Sequence, residues 1–371
     1  MRKRYILIIL ILLTTIATRG ENVDWPIFRG DSQLSGKAQN PGFDDFALSW
    51  SYATSEAIKS SPVVSDSVVF MSSTDGRLYA LDLYSGKLKW SFKNDYPLEA
   101  SPMVADGLVL VGTLEGVLYA LDSESGALRW KFVTEGQIIG SVNMLQGNPS
   151  RIVFGSYDNY LHCLDLLTGK EVWKHLTTHF INGAPAVDAS RVIFGGCDAV
   201  LHHVSPISGL ELNSIDLEIY IAGSPALEKN RSYVGTYGGE LFCLDANLEK
   251  VLWKYSSGEN AGPILSSPAI GESRIFYGSR DRNLYCLNKN TGKPIWSFKT
   301  QGEIDSSPVT WANRVLCASK DGSLYLLNAI NGDQVWSYDV GSPILSSPAV
   351  VSDFILIGSQ AGVLYAFKGK K

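Results

Sequence analysis

The sequence has no CxxC pair. Its cysteines, Cys163, Cys197, Cys243, Cys286 and Cys317, are odd in number and too scattered for a zinc ribbon or a thiol redox site. Three of them, Cys163, Cys243 and Cys286, take a slot held by Ala80 and Ala120 elsewhere, which makes them small packed strand residues. The chain also has no block of Lys or Arg inside its body, and its formal net charge of −5 comes from interspersed acids and bases. The electrostatic footprint of a nucleic-acid binder is therefore missing. GxSxG, HExxH and P-loop patterns are absent too, which removes the commonest hydrolase, metalloprotease and nucleotide-binding signatures.

The longest apolar run, Tyr5 to Leu13, is too short to prefer spanning a bilayer. With Arg2, Lys3 and Arg4 before it and short residues up to Gly20, residues 1–20 read as a secretory signal. No cysteine stands near that boundary to carry a lipid. The expectation is an exported, soluble, monomeric protein, periplasmic or extracellular, without a transmembrane segment after cleavage.

What the chain does have is a repeat. Across 371 residues, Leu78 returns as Leu118, Leu161, Leu201, Leu241, Leu284, Leu324 and Leu364, in steps of 40 or 43. Such periods belong to arrays of one supersecondary unit. Each unit carries four strand signals. The first follows Ser-Pro, as in Ser61-Pro62. The second is a continuous apolar run such as Val68 to Met71, which implies burial on both faces. The third is the LYALD segment, entered through pairs such as Asp75-Gly76 that accept a hairpin turn. The fourth ends on tryptophan, entered through pairs such as Ser85-Gly86. Aspartates at one repeated position (Asp82, Asp122, Asp165, Asp245) suit turn stabilisation rather than a catalytic pair.

Trp50 stands eleven residues before Ser61, as Trp90 does before Ser101, so Leu48 to Tyr52 is a fourth strand without its first three. At the other end, Leu364 to Phe367 lacks a fourth strand. The two ends complete each other, which removes an exposed edge. The predicted fold is all-β: a closed eight-bladed propeller of four-stranded antiparallel blades over 47–371, preceded by a leader, 21–46, containing WPIFRGD (Trp25 to Asp31) and packed on the outside.

The pattern Ala80-x-Asp82-x-x-x-Gly86-x-x-x-Trp90 resembles the tryptophan-docking repeat of the pyrroloquinoline-quinone (PQQ) propeller superfamily, and it recurs intact from Ala120 to Trp130. The resemblance implies that Trp50, Trp90, Trp130, Trp173, Trp253, Trp296 and Trp336 stack on the neighbouring blade. The fourth unit departs, with Asn213 in the tryptophan slot, so its outer contact is expected to be weaker. One branch of the superfamily comprises PQQ dehydrogenases, with calcium on the ring axis and a disulfide between adjacent cysteines. This sequence has no adjacent cysteines and no CxxCH haem site, so no cofactor is expected.

Residues that vary between units are the better functional candidates. Lys59, Glu99, Asn182 and Asp305 stand two before the Ser-Pro sites or their equivalents, and Tyr157, Tyr237, Arg280 and Lys320 stand at the turn between the second and third strands. Both loop sets are expected on one face, with the charges lining an axial funnel and the tyrosines opposite. The alternative is an ordinary solvated loop face. A metal site from His162, His202 and His203 has little support without a spaced carboxylate, so none is expected.

The leading function is a non-enzymatic scaffold for a protein partner in the cell envelope, similar to the BamB-like branch that serves outer-membrane protein assembly. The alternatives are a PQQ-dependent oxidoreductase and a small-ligand or carbohydrate-binding propeller. N-terminal sequencing of the exported form tests the first expectation: it should begin close after Gly20, and retention of residues 1–20 contradicts it.

Overall fold

Apolar runs that bury both faces need sheets on either side of them, and the chain meets that need by setting its sheets around an axis. The computed structural model describes residues 24–39, 43–145, 147 and 150–370; the expected secretory segment lies outside them. These residues form strands β1 to β32, with no helix among them, in eight four-stranded antiparallel sheets. In the first blade, β2 (Val63–Ser65), β3 (Val68–Ser72), β4 (Arg77–Asp82) and β5 (Leu88–Lys93) pair in sequence order from the axis outward. The eight repeat leucines are all fully buried. The Asp at the end of the third strand caps the turn that follows it, Asp82 Oδ1 accepting from Ser85 N at 2.8 Å.

The ring closes as the two incomplete ends require. β1 (Phe46–Ala53) pairs antiparallel with β32 (Val363–Gly369), from Phe46 opposite Gly369 to Ala53 opposite Val363. It is the outer strand of the last sheet, which gives that blade the same four strands as the others.

Seven seams between blades carry the same contact. The indole nitrogens of Trp50, Trp90, Trp130, Trp173, Trp253, Trp296 and Trp336 donate to the carbonyls of Leu83, Ser123, Leu166, Pro206, Lys289, Ala329 and Phe46 at 2.8–3.3 Å. Six of those rings lie on a glycine of the next blade's last turn. Gly86 shows why: a Cβ there would stand 2.6 Å from the Trp50 ring, and its φ is +67°. At the remaining seam the Asn213 amide takes over the hydrogen bond, donating to Asn247 O at 3.1 Å. It brings no plate, and the facing turn has no glycine. Leu248 turns inward there at φ +58° and joins the cluster of Leu244 and Ile215.

The leader is not on the outside. Residues 25–38 run through one mouth of the axial channel and bond to the innermost strands of seven blades. Trp25 exchanges two hydrogen bonds of 2.9 Å with Val64. Pro26, Ser32, Gln33, Ser35 and Gly36 then accept from the N–H groups of Val104, Val187, Leu227, Ile270 and Thr310 at 2.7–2.9 Å, while Ser32 O also takes the Asn143 amide at 2.8 Å. The reason is the inner edge of each blade: short strands facing a channel present unpaired N–H groups, and the backbone carbonyls of the leader satisfy them. Arg29 is 2% exposed and donates to the carbonyls of Pro268 and Pro308 in two blades. Burial pushes its pKa down to about 9.

The seam contact predicts an asymmetry. Gly86→Ala should cost about 1–3 kcal/mol in denaturant unfolding, from overpacking and the positive φ. Glu249→Ala, at the exposed turn with no indole above it, should stay within about 0.5 kcal/mol. Equal effects would remove the docking argument.

Candidate functional site

With one mouth closed by the leader, the other is a blind funnel of roughly 170 Å³ floored by Phe28. Its wall is set by the Ser-Pro sites. Around the axis, Ser61 N donates to Ser101 Oγ at 2.8 Å, Ala184 N to Ser224 Oγ at 2.8 Å, Ser224 N to Ser267 Oγ at 3.2 Å, and Ser267 N to Ser307 Oγ at 2.9 Å. Ser307 N to Ser347 Oγ and Ser347 N to Ser61 Oγ, both 2.9 Å, carry the relay across the closure. The residue before each of these sites varies in size; the one two before it points into the funnel. Lys59, Glu99, Asn182 and Asp305 line it, with Ile139, Ala222, Leu265 and Leu345 completing the circle.

The two varied loop sets lie side by side in every blade. The N–H groups of Thr74, Leu114, Tyr157, Cys197, Tyr237, Arg280, Lys320 and Gln360 donate to the carbonyls of Ala57, Pro97, Gln137, Phe180, Tyr220, Pro263, Glu303 and Pro343, at 2.8–3.5 Å. Between those partners and the lining residues stands a buried Ile or Leu, from Ile58 to Ile344. At six seams it wedges against a glycine of the preceding blade's second strand; at Gly112 a Cβ would lie 2.3 Å from Ile138.

The funnel's charges are matched. Lys59 Nζ meets Glu99 Oε1 at 2.7 Å. On the sixth and seventh blades, Arg280 donates Nε and Nη2 to Asp305 at 2.9 Å each, and Lys320 reaches both Asp305 and Glu303 at 2.7 Å. Burial would raise the Asp305 carboxyl, but Arg280 and Lys320 outweigh it and hold the group below the usual carboxylate range.

Tyr157 stands on the third blade and Tyr237 on the fifth, each beside one charged cluster and four blades, half the ring, from a member of the other. Tyr157 lies near Glu99 and stacks on Phe180 with centroids 4.7 Å apart; Tyr237 lies near Arg280 and stacks on Tyr220, also at 4.7 Å. Each sits beside a charged cluster because its blade is next in the ring. Asn182 donates to Cys197 Sγ at 3.0 Å. Phe180 and Tyr220, 38% and 41% exposed, were not singled out from the sequence, nor was Glu303. Their common slot, held by Ala57, Pro97 and Gln137 elsewhere, varies as much as the columns of Lys59 and Tyr157.

His162, His202 and His203 do not converge. His162 and His202 hold the turn acids Asp158 and Asp198 at 2.9 and 3.0 Å, as Tyr79 holds Asp75 at 2.6 Å. His203, the next residue along its strand, faces the opposite side of the sheet.

The family model described as outer membrane protein assembly factor BamB matches residues 43–100, 90–216 and 249–371. No curated protein matches the chain. Among solved structures, BamB from Moraxella catarrhalis superposes with a TM-score of 0.73 at 20% identity, covering 88% of this chain and 98% of that one. Quinohemoprotein alcohol dehydrogenase from Comamonas testosteroni gives 0.80 at 14%, covering 94% and 81%. A europium-containing methanol dehydrogenase gives 0.81 at 13%, covering 94% and 98%. At these identities the superpositions show the fold.

PQQ is a fused tricyclic tricarboxylate, and the funnel residues fit it poorly. The space is small beside ordinary ligand pockets of about 300 Å³ and upward, and Lys59, Arg280 and Lys320, the cations that would take its carboxylates, are already bound to acids.

The Asp305 cluster predicts a pH dependence. Its folded pKa lies below the unfolded value of about 3.9, so its contribution is complete above that pH and is lost as pH falls through the folded value. Asp305→Asn should lower unfolding stability at pH 7 by roughly 1–3 kcal/mol, and the gap to the parent should shrink below about pH 4. A gap that stays constant down to pH 2 would contradict it.

Proposed function

The chain belongs to the family described as outer membrane protein assembly factor BamB, and from that premise we propose that it is a non-enzymatic scaffold that binds a protein partner in the cell envelope through the funnel face. The observation that carries this reading is the eightfold pairing of two varied loop sets on one rim. Seven buried isoleucines and one leucine hold the loops rigid, while the outward residues differ from blade to blade. A pre-ordered rim loses little entropy when it binds.

The rim also has the composition of a protein-recognition surface. Phe180 and Tyr220 are half-open aromatics, each stiffened by a stacked tyrosine, and such residues are the usual anchors of interfaces. The ion pairs around them supply orientation more than affinity. Enzyme chemistry has less support, because the repeated aspartates are spent on turns and the funnel charges on one another. Among the described residues no helix is long and apolar enough to cross a membrane. Export rests on the basic and apolar start of the sequence and on the family.

In-cell photo-crosslinking tests the reading, with probes at Lys59, Glu99, Lys320 and Phe180 and a control on the exposed outer strand at Leu128. The funnel probes should capture one envelope protein that the control does not. Capture no greater than the control's removes the proposed face.

A further inference from the structure

Between the third and fourth blades, three side chains from two sheets aim ligand atoms at one point. His175 lies on β13 (Glu171–Leu176), His202 on β16 (Val200–Val204) and Glu211 on β17 (Glu211–Asp216). One ligand atom from each falls within 4.8 Å of the other two. Glu211 Oε2 stands 2.7 Å from His202 Nδ1 and 3.7 Å from His175 Nε2. The ligands of one tetrahedral zinc ion lie about 3.3 Å apart, given metal–ligand bonds of about 2.0–2.2 Å, so small rotations suffice to seat an ion.

The second nitrogen of each histidine is already occupied. His175 Nδ1 lies 3.1 Å from Gly209 O, and a carbonyl can only accept, so Nδ1 carries the proton and Nε2 offers its lone pair. His202 Nε2 lies 3.0 Å from Asp198 Oδ2, a carboxylate with a 2% exposed side chain. A carboxylate or carbonyl behind each ligating imidazole is the arrangement that fixes tautomer and orientation at metal centres. We propose that His175, His202 and Glu211 form a binding site for a divalent transition-metal ion of the zinc class, with Asp198 as a positioning residue. The ion replaces the proton that His202 Nδ1 shares with Glu211. Two imidazoles and a carboxylate suit zinc and its neighbours rather than calcium or magnesium. Glu211, with 38% of its side chain exposed, opens the site to solvent, and three protein ligands leave a fourth position for water.

The seam before it is a built-in comparison. There His162 bonds to Asp158 at 2.9 Å and Glu171 at 3.2 Å, matching His202, Asp198 and Glu211. The ring facing it, however, is Phe132, 5.5 Å away, where the fourth blade's histidine faces His175 at 5.7 Å. The other blades hold Tyr52, Phe92, Ile215, Tyr255, Phe298 and Tyr338 in that slot. Only one seam, then, pairs two imidazoles.

The same comparison supplies variants that keep the fold. The full exported chain is stripped of metal with a chelator, dialysed, and titrated with Zn²⁺ against a chromogenic competitor; Co²⁺ absorption in the visible reads the ligand geometry. One Zn²⁺ per chain is expected, with the intense absorption of four-coordinate Co²⁺. His175→Phe, which installs the second blade's own residue, and Glu211→Gln should each weaken binding at least about tenfold. Asp198→Asn should weaken it about 10–100-fold, while His162→Tyr leaves it unchanged. Unfolding midpoints confirm that each variant is folded. Binding by His175→Phe as tight as the parent's, an equal loss in His162→Tyr, or no binding by the parent overturns the site.

Discussion

Seams that recur at one angle need one contact that recurs with them, and here it is an indole lying on a turn glycine while its N–H reaches a carbonyl beside it. The contact combines a large apolar plate with a directed hydrogen bond, so it fixes both spacing and rotation between sheets. Glycine is required by the plate as much as by the turn. The two change together: where Asn213 replaces the indole, the facing turn has Leu248 and Glu249 and a different curl. The outer ring of the molecule is therefore specified by pairs of residues in adjacent blades.

The inner ring has a different logic. Strands as short as Ala186–Val187 cannot satisfy their own axial edge. The serines answer this at one depth by bonding blade to blade, and the leader answers it at another by bonding to seven blades in turn. Arg29, buried among proline carbonyls, anchors the leader by hydrogen bonds rather than by an ion pair, which is why its charge is costly and its pKa falls. The funnel is a by-product of this division: it is what remains of the channel after the leader has filled the far mouth.

The outer ring and the closure are legible in the sequence because both are periodic. Leu78 and Trp90 recur at fixed steps, and the lone strand at Leu48 is visible as a copy out of place. The columns containing Lys59 and Tyr157 could likewise be placed on one rim by register alone. Residues 25–38 could not be placed, because their partners are backbone N–H groups of seven distant strands and impose no period. The relation of the charges was also hidden: Arg280 meets Asp305, 25 residues on, only across a seam, and Lys320, a further 15 residues on, reaches Asp305 from another loop of the same blade. His175 is hidden in the sequence by its column, which elsewhere holds aromatic or apolar residues, so that one imidazole looks like one more ring.

Closure by β1 has a consequence for the order of events during synthesis. Among the described strands, the one that completes the final sheet is the first to be made, and the strand it pairs with, Val363–Gly369, is the last. Until then β1 is a bare edge whose partner does not yet exist, and such edges invite pairing with other chains. Contacts that join residues over three hundred positions apart also make folding slow. A ring that is hard to open once finished is, for the same reason, a ring that cannot lock until its last strand has been made.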